Sequence, residues 1–188
     1  MAHSSESFVP SDLEAARSGD AGARTRFWSR GYSELRQVAA AALAQWNGRI
    51  GLTPTDVLHE AFVRLAGRDR VTDEGTRFFY ASFATECRRL LVDHHRQRIA
   101  DKRGGRMQRV SLNSGILGDS NKPFDLIDLN DAIEVLAKLD PRAAQIVDLR
   151  VFGGMSMDEC AAALGVSKRT AEYDWTNARS WLRDRLDG

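Results

Sequence analysis

Lys168 and Arg169, followed by Thr170 and preceded by Gly165-Val166-Ser167, are the side chains whose type and spacing point most directly to chemistry. A helix start carries partial positive charge, so a purely structural choice there would be Asp or Glu. Cations in that position suit an anionic ligand. When such a helix lies in a DNA major groove, basic and hydroxyl side chains at its N-terminal end reach base edges and flanking phosphates. The neighbouring residues supply the elements that must hold them. Ser156 is suited to cap a helix with Asp158 and Glu159 in its first turn, and a short apolar stretch runs on to Leu164. Gly165 stands where the chain turns through a left-handed conformation, and Ser167 caps the next helix. The small run Ala161 to Ala163 allows two helices to cross closely. Residues 156–185 therefore read as a helix-turn-helix with a groove-reading second helix. The alternative is an αα-hairpin whose outer helix is merely charged.

A chain of 188 residues has room for one large or two small domains, each with a core. The formal charge of +1 is uninformative, but its distribution is not. Residues 77–110 hold nine Lys/Arg against three Asp/Glu, and residues 111–148 hold three against seven. A basic band beside an acidic one suits a protein that touches nucleic acid with one surface and something else with another, and the two bands could also dock on each other. Cys87 and Cys160 belong to no Cys-x-x-Cys pair, which fits reduced thiols in a cytoplasmic protein. No apolar run approaches the roughly 18 residues of a membrane span, and the N-terminal residues do not read as a signal peptide.

Helical periodicity runs through nearly every segment, and no alternating strand pattern stands out. Ser11 with Glu14 forms a candidate capping box. A long amphipathic segment follows to about Trp46, with a break over 47–51. The next helix starts at Thr53, with Pro54 at its first position and Asp56 three residues after the cap. A polar loop over 67–76 leads to a long basic helix reaching about Arg103. Residues 104–124, rich in Gly, Ser and Asn, read as a linker. A second helical unit begins near Asp125 and includes Asp140-Pro141 as a cap and first turn. The expected class is all-α: small helical domains over 1–103 and 125–188 joined by a flexible linker. The C-terminal one is a helix-turn-helix, winged-helix-like DNA-binding domain.

Catalytic chemistry finds little support. Asp93-His94-His95 looks like part of a phosphoesterase metal motif, but no further Asp/His cluster completes a ligand set. His59-Glu60 lacks the second histidine of a zinc-protease helix, and no phosphate-cradling glycine loop is present. The expectation is a non-enzyme without metal or cofactor.

The chain resembles the extracytoplasmic-function (ECF) group of the bacterial sigma-70 family, the promoter-specificity subunits of RNA polymerase. The likeness covers almost the whole sequence. It is carried by Asp56-Val-Leu-His-Glu-Ala-Phe-Val-Arg-Leu65, by Phe78-Phe79 through Leu90-Leu91-Val92-Asp93-His94-His95-Arg96, and by Leu139-Asp140-Pro141-Arg142. It continues through Val151-Phe152-Gly153-Gly154-Met155-Ser156, Gly165-Val166-Ser167, and Asp174-Trp175 with Ala178-Arg179-Ser180-Trp181-Leu182. The blocks are individually weak, but their order and spacing are specific.

The resemblance implies a division of labour. Residues 125–188 would read the −35 element through Ser167, Lys168, Arg169, Thr170, Glu172, Tyr173 and Arg179, with Glu172 and Tyr173 departing from the basic or small residues usual there. Asp174, Trp175, Trp181 and Leu182 are expected to pack. Residues 1–103 would melt and hold the −10 element. The loop before the basic helix would take a flipped base, Arg77, Arg88, Arg89 and Arg96 would meet phosphates, and Phe78 and Tyr80 would stack, while Phe79 and Phe83 belong to the core. Asp56, Glu60, Phe62 and Arg64 would meet the clamp coiled coil of bacterial core RNA polymerase, whose flap is the second expected contact. The family usually has Asp and Glu where this chain has Thr53 and Thr55. Phosphorylation of Thr55 or Thr53 would restore that acidity at a helix N-terminus, so control by a Ser/Thr protein kinase stands beside control by an anti-sigma factor. A rival of another class is a two-domain regulator that binds an operator and leaves polymerase alone.

Overall fold

One helix organises the molecule because it has a buried face on each side. The computed structural model describes residues 20–47, 50–66, 75–101, 111–112 and 124–187. The expected Ser11–Glu14 capping box, most of the 67–76 loop and most of the linker lie outside them. In chain order the elements are α1 (Ala21–Ala44), β1 (Trp46–Asn47), α2 (Pro54–Ala66), α3 (Gly75–Asp101), β2 (Ser111–Leu112), α4 (Leu126–Leu139), α5 (Pro141–Val147), a π-helical turn (Asp148–Phe152), α6 (Met157–Leu164) and α7 (Lys168–Asp187). The class is all-helical. Among the described residues the extended pairing is confined to β1 and β2, a two-residue antiparallel ladder with Trp46 opposite Leu112 and Asn47 opposite Ser111. It ties part of the expected linker back to the end of α1.

The helix starts follow local chemistry. Thr53 caps α2: its hydroxyl accepts from the Asp56 amide at 3.2 Å, while Asp56 Oδ2 accepts from the Thr53 amide at 2.8 Å. Asp125 caps α4 through the Ile127 amide, and Asp140 caps α5 through the Ala143 amide with Pro141 in its first turn. Ser156 and Glu159 form a complete capping box at α6. Each of these bonds satisfies a donor that the helix itself leaves without a partner.

On its first face α3 packs Phe79, Phe83, Cys87 and Leu91 against α1 (Leu35, Val38, Ala39, Ala42) and α2 (Val57, Leu58, Ala61, Leu65), all buried. Phe79 and Phe83 stack at 6.2 Å, one turn apart. On its second face Ala81 and Ala84 meet Leu149, Cys160 and Ala163, which belong to the C-terminal half. Positions 81, 84, 85 and 88 form one helical stripe, and at its end Arg88 enters the interface. The two halves read from the sequence therefore share one interior. Trp46 lies 5.7 Å from Phe152 ring to ring, and both belong to the main core. Gly154, at φ +65°, sits so close to α1 that a Cβ there would lie 2.4 Å from the Cβ of Ala41. Only glycine satisfies both its backbone and that contact.

Burial also quiets the thiols. Cys87 and Cys160 are both free and buried. Burial, the largest influence, pushes the Cys160 thiol up to about 12 and raises Cys87 further. No helix among the described residues is long and apolar enough to cross a membrane.

Removing a ring from the first face of α3 should be felt throughout. Phe83→Ala, at a fully buried position, is expected to lose about 3–5 kcal/mol in urea unfolding. Val63→Ala, at a residue 64% exposed on α2, should stay within about 0.5 kcal/mol.

Candidate nucleic-acid interface

The first turn of α7 presents the basic pair to solvent. Gly165 takes the left-handed conformation, φ 66° and ψ 31°, that ends α6 and redirects the chain into α7. Ser167 Oγ accepts from the Thr170 amide at 3.1 Å, so Ser167 is the cap the sequence predicts. Lys168, Arg169, Glu172 and Tyr173 are exposed, Tyr173 at 68%, while Thr170 and Arg179 are half-buried. Lys168 Nζ lies 2.8 Å from Asp158 of α6. That hydrogen bond raises the ammonium's pKa. A pair so exposed exchanges readily for another anion.

The opposite side of α7 is pinned. Arg142, one residue into α5, grips the buried carboxylate of Asp174 with Nε at 2.6 Å and Nη2 at 3.2 Å. The hydrogen bond to Asp174 holds the Arg142 guanidinium above its ordinary value. Arg150 lies 5.6 Å over the Trp175 ring and donates to the Met155 carbonyl. Ala171, Ala178 and Leu182 are buried. Asp174, Trp175 and Leu182 thus pack as expected. The two-point Arg142–Asp174 clamp is an addition that sequence reading missed. Its trace in the sequence is a lone carboxylate on the apolar stripe of α7. Helix α7 runs to Asp187, and no β-hairpin lies beside it among the described residues.

The basic helix looks inward. Of the arginines assigned to the −10 strand, Arg88 is 2% exposed. Its Nε lies 2.7 Å from Asp148 Oδ1 and its Nη1 2.9 Å from Glu134 Oε1; Nη1 also donates to Asn130. Thr85 donates to the same Asp148 at 2.6 Å. Burial works against the Arg88 charge, but the two carboxylates more than offset it, and its pKa lies above the ordinary value. Arg89 contacts Glu86 at 3.0 Å and Glu134 at 3.8 Å, and Arg96 contacts Asp131 at 3.1 Å. In this arrangement Arg88 cannot reach a phosphate, because the C-terminal half covers it. Tyr80 is half-buried and donates its hydroxyl to Glu34. Burial and then Glu34 raise its pKa, and the ring packs in the core instead of facing a base. The side chains of Arg77 and Phe78 lie outside the described residues.

A third surface lies between α2 and α3, an open cleft of about 490 Å³ lined in part by Asp56, Glu60, Arg64, Asp93 and His94. Arg64 bridges Glu60 at 3.1 Å and Asp93 at 2.7 Å. Phe62 is partly buried against the core. Asp93 is therefore an ion-pair partner, and the neighbouring His95 is buried, which lowers its pKa against the pull of Asp125. Among the described residues no three His, Cys, Asp or Glu side chains converge as a metal site. The Thr53 hydroxyl is engaged in the cap, accepting from the Asp56 amide and donating to Asp56 Oδ2 at 2.7 Å. Thr55 is half-buried and has no hydrogen bond from its hydroxyl among the described residues.

A family model described as ECF sigma factor matches residues 7–188. A search of curated proteins finds no match. Among solved structures, CnrH in complex with the cytosolic domain of CnrY is 19% identical, with 95% of this chain and 96% of that one covered and a TM-score of 0.40. The sigma factor RpoE in complex with the anti-sigma factor NepR from Bartonella quintana is 18% identical, with 86% and 97% covered and a TM-score of 0.38.

The cap at α2 has a pH signature. The Thr53 backbone N–H and then its hydroxyl hold the Asp56 carboxyl below its ordinary 3.8. A depressed carboxyl supports the helix above the unfolded value and loses that support as pH falls through the folded midpoint. An NMR titration of Asp56 should therefore give a midpoint below 3.8. Thr53→Val should move it only part of the way back, because the backbone donor remains.

Proposed function

We propose, since the chain belongs to the ECF sigma factor family, that it grips a promoter at two points for bacterial core RNA polymerase. It is an alternative sigma factor that directs transcription initiation. The observation that carries this is the family match over nearly the whole chain, both helical halves included. Residues 1–103 act as sigma domain two and 125–188 as sigma domain four, with 104–124 between them.

In this reading domain four enters the −35 major groove as a helix-turn-helix. The exposed side chains of Lys168, Arg169, Glu172 and Tyr173 are supported from behind by Arg142 and Trp175. Ser167 and Thr170 meet the adjacent phosphate, and Arg179 a more distant one. Glu172 accepts from a cytosine amino group, a contact that favours one base over its neighbours. Domain two takes the −10 strand, with Arg77, Arg89 and Arg96 on phosphates and Phe78 against a base, while Arg88 and Tyr80, turned inward on Asp148 and Glu34, hold α3 in place. Asp56, Glu60, Phe62 and Arg64 dock on the polymerase clamp, and domain four reaches the flap.

Phosphorylation by a Ser/Thr kinase tunes the clamp contact. Thr55 is the better acceptor, since Thr53 is committed to the Asp56 cap. A phosphate at Thr55 adds about −1.5 to −2 charge in the first turn of α2, where the helix dipole favours it. It would restore acidity that the family usually writes with carboxylates.

The test is reconstitution with sigma-free bacterial core polymerase on promoter fragments from the source genome. Promoter-specific initiation is expected, stronger with Thr55→Glu than with Thr55→Ala. Lys168→Ala with Arg169→Ala should weaken duplex binding and flatten the log–log salt slope by about 1–2. Tight operator binding as a dimer with no initiation by any form would instead identify a polymerase-independent regulator. Kinase-dependent transcription that survives alanine at both threonines would remove the switch alone.

A further inference from the structure

Three of the α3 arginines expected to hold a single strand, Arg88, Arg89 and Arg96, each meet a carboxylate from the other half of the chain. Arg88 is closed over by Asp148 and Glu134, Arg89 is shared between Glu86 of its own helix and Glu134, and Arg96 is on Asp131. The acidic groups meet α3 along more than two turns, as successive phosphates of a strand would. Apolar contacts reinforce the same seam: Leu149, Cys160 and Ala163 on Ala81 and Ala84, and Phe152 against Trp46. In the same arrangement Lys168, Arg169 and Tyr173 remain in solvent. One grip is closed while the other is open.

We propose that the acidic face formed by α4 and the π-helical turn is an internal competitor for the strand-binding face of α3. The closed chain binds duplex through α7, but it must open along the Ala41–Gly154 and Arg88–Asp148 seam before it can hold single-stranded DNA. This rests on the assignment of α3 to strand capture. Apparent strand affinity is then the intrinsic affinity scaled by the fraction of open molecules. On opening, each carboxylate leaves its arginine to a phosphate or to water, whereas loss of Asp148 within the closed form would leave the buried Arg88 guanidinium short of counter-charge.

Two full-length variants open the seam by different means and leave α3's arginines intact. Asp148→Asn removes the counter-ion buried against Arg88, and Ala41→Trp wedges the space that Gly154 now fills. Solution scattering should show a larger radius of gyration for each than for the wild type. Anisotropy with a short labelled oligothymidylate should show roughly tenfold or tighter binding. Binding to a duplex carrying the −35 element should not change. In the wild-type chain, saturating oligothymidylate should speed amide exchange over residues 157–164, which lose their cover on α3.

The proposal is overturned if a variant with enlarged radius binds the oligonucleotide no tighter. It is equally overturned if wild-type radius already equals that of the variants, or if bound oligonucleotide leaves exchange in 157–164 unchanged. The wild-type exchange measurement decides the matter should either substitution prevent folding. Initiation with core polymerase is a separate readout: its absence together with tighter strand binding by open variants removes the sigma reading and keeps the competitor.

Discussion

A guanidinium in the middle of a protein interior dictates what can surround it, and Arg88 is in that position. Moving such a charge out of water costs several kcal/mol, so the site is tolerable only with opposite charge and hydrogen bonds on nearly every donor. Asp148, Glu134 and Asn130 supply them. Asp148 can do so because it begins the π-helical turn after α5, flanked by the buried apolar Val147 and Leu149. The placement of α4, α5 and the π turn against α3 follows from this arrangement. The alanines one and two turns earlier on α3 then leave room for α6.

Packing around that centre is tight where backbones approach. Gly154 and Ala41 meet at a distance that admits no further atom, and Trp46 against Phe152 closes the same side. The seam is therefore both ionic and apolar. Screening by salt weakens its exposed Arg96–Asp131 pair far more than its buried Arg88–Asp148 pair. The near-zero net charge of the chain conceals a basic and an acidic segment, and Arg88, Arg89 and Arg96 of the first meet Asp148, Glu134 and Asp131 of the second.

Helix α7 is built on another principle. Its orientation comes from one side, through the Arg142–Asp174 clamp, the Arg150–Trp175 stack and small buried alanines. Its opposite side carries exposed cations beside an exposed tyrosine. Rigid support behind a solvated, charged front lets a helix meet a ligand without paying again for its own ordering. The α2 start shares this economy: Thr53 and Asp56 satisfy each other's neighbourhood, and the Thr55 hydroxyl has no hydrogen bond among the described residues.

Much of this was legible in the residue order. Helix starts at Thr53, Asp125, Asp140, Ser156 and Ser167, the left-handed Gly165, the core positions Phe79 and Phe83 and the all-helical class were all readable, because a cap, a turn or an amphipathic stripe is written within one or two helical turns. Opposite charge in 77–110 and 111–148 even suggested that the halves could meet. The reading failed to anticipate how far Arg88 and Tyr80 would be turned inward, the Arg142–Asp174 clamp, and the tie of Ser111–Leu112 back to Trp46–Asn47. Arg88 finds Asp148 across 60 residues and Asn130 across 42. Nothing local distinguishes an arginine destined for a phosphate from one destined for a carboxylate, since both ask for the same planar, doubly donating cation. The sequence by itself determined which helices form and which side chains carry charge. The tertiary structure alone decided which of those charges face water, because that depends on which distant surfaces exclude it.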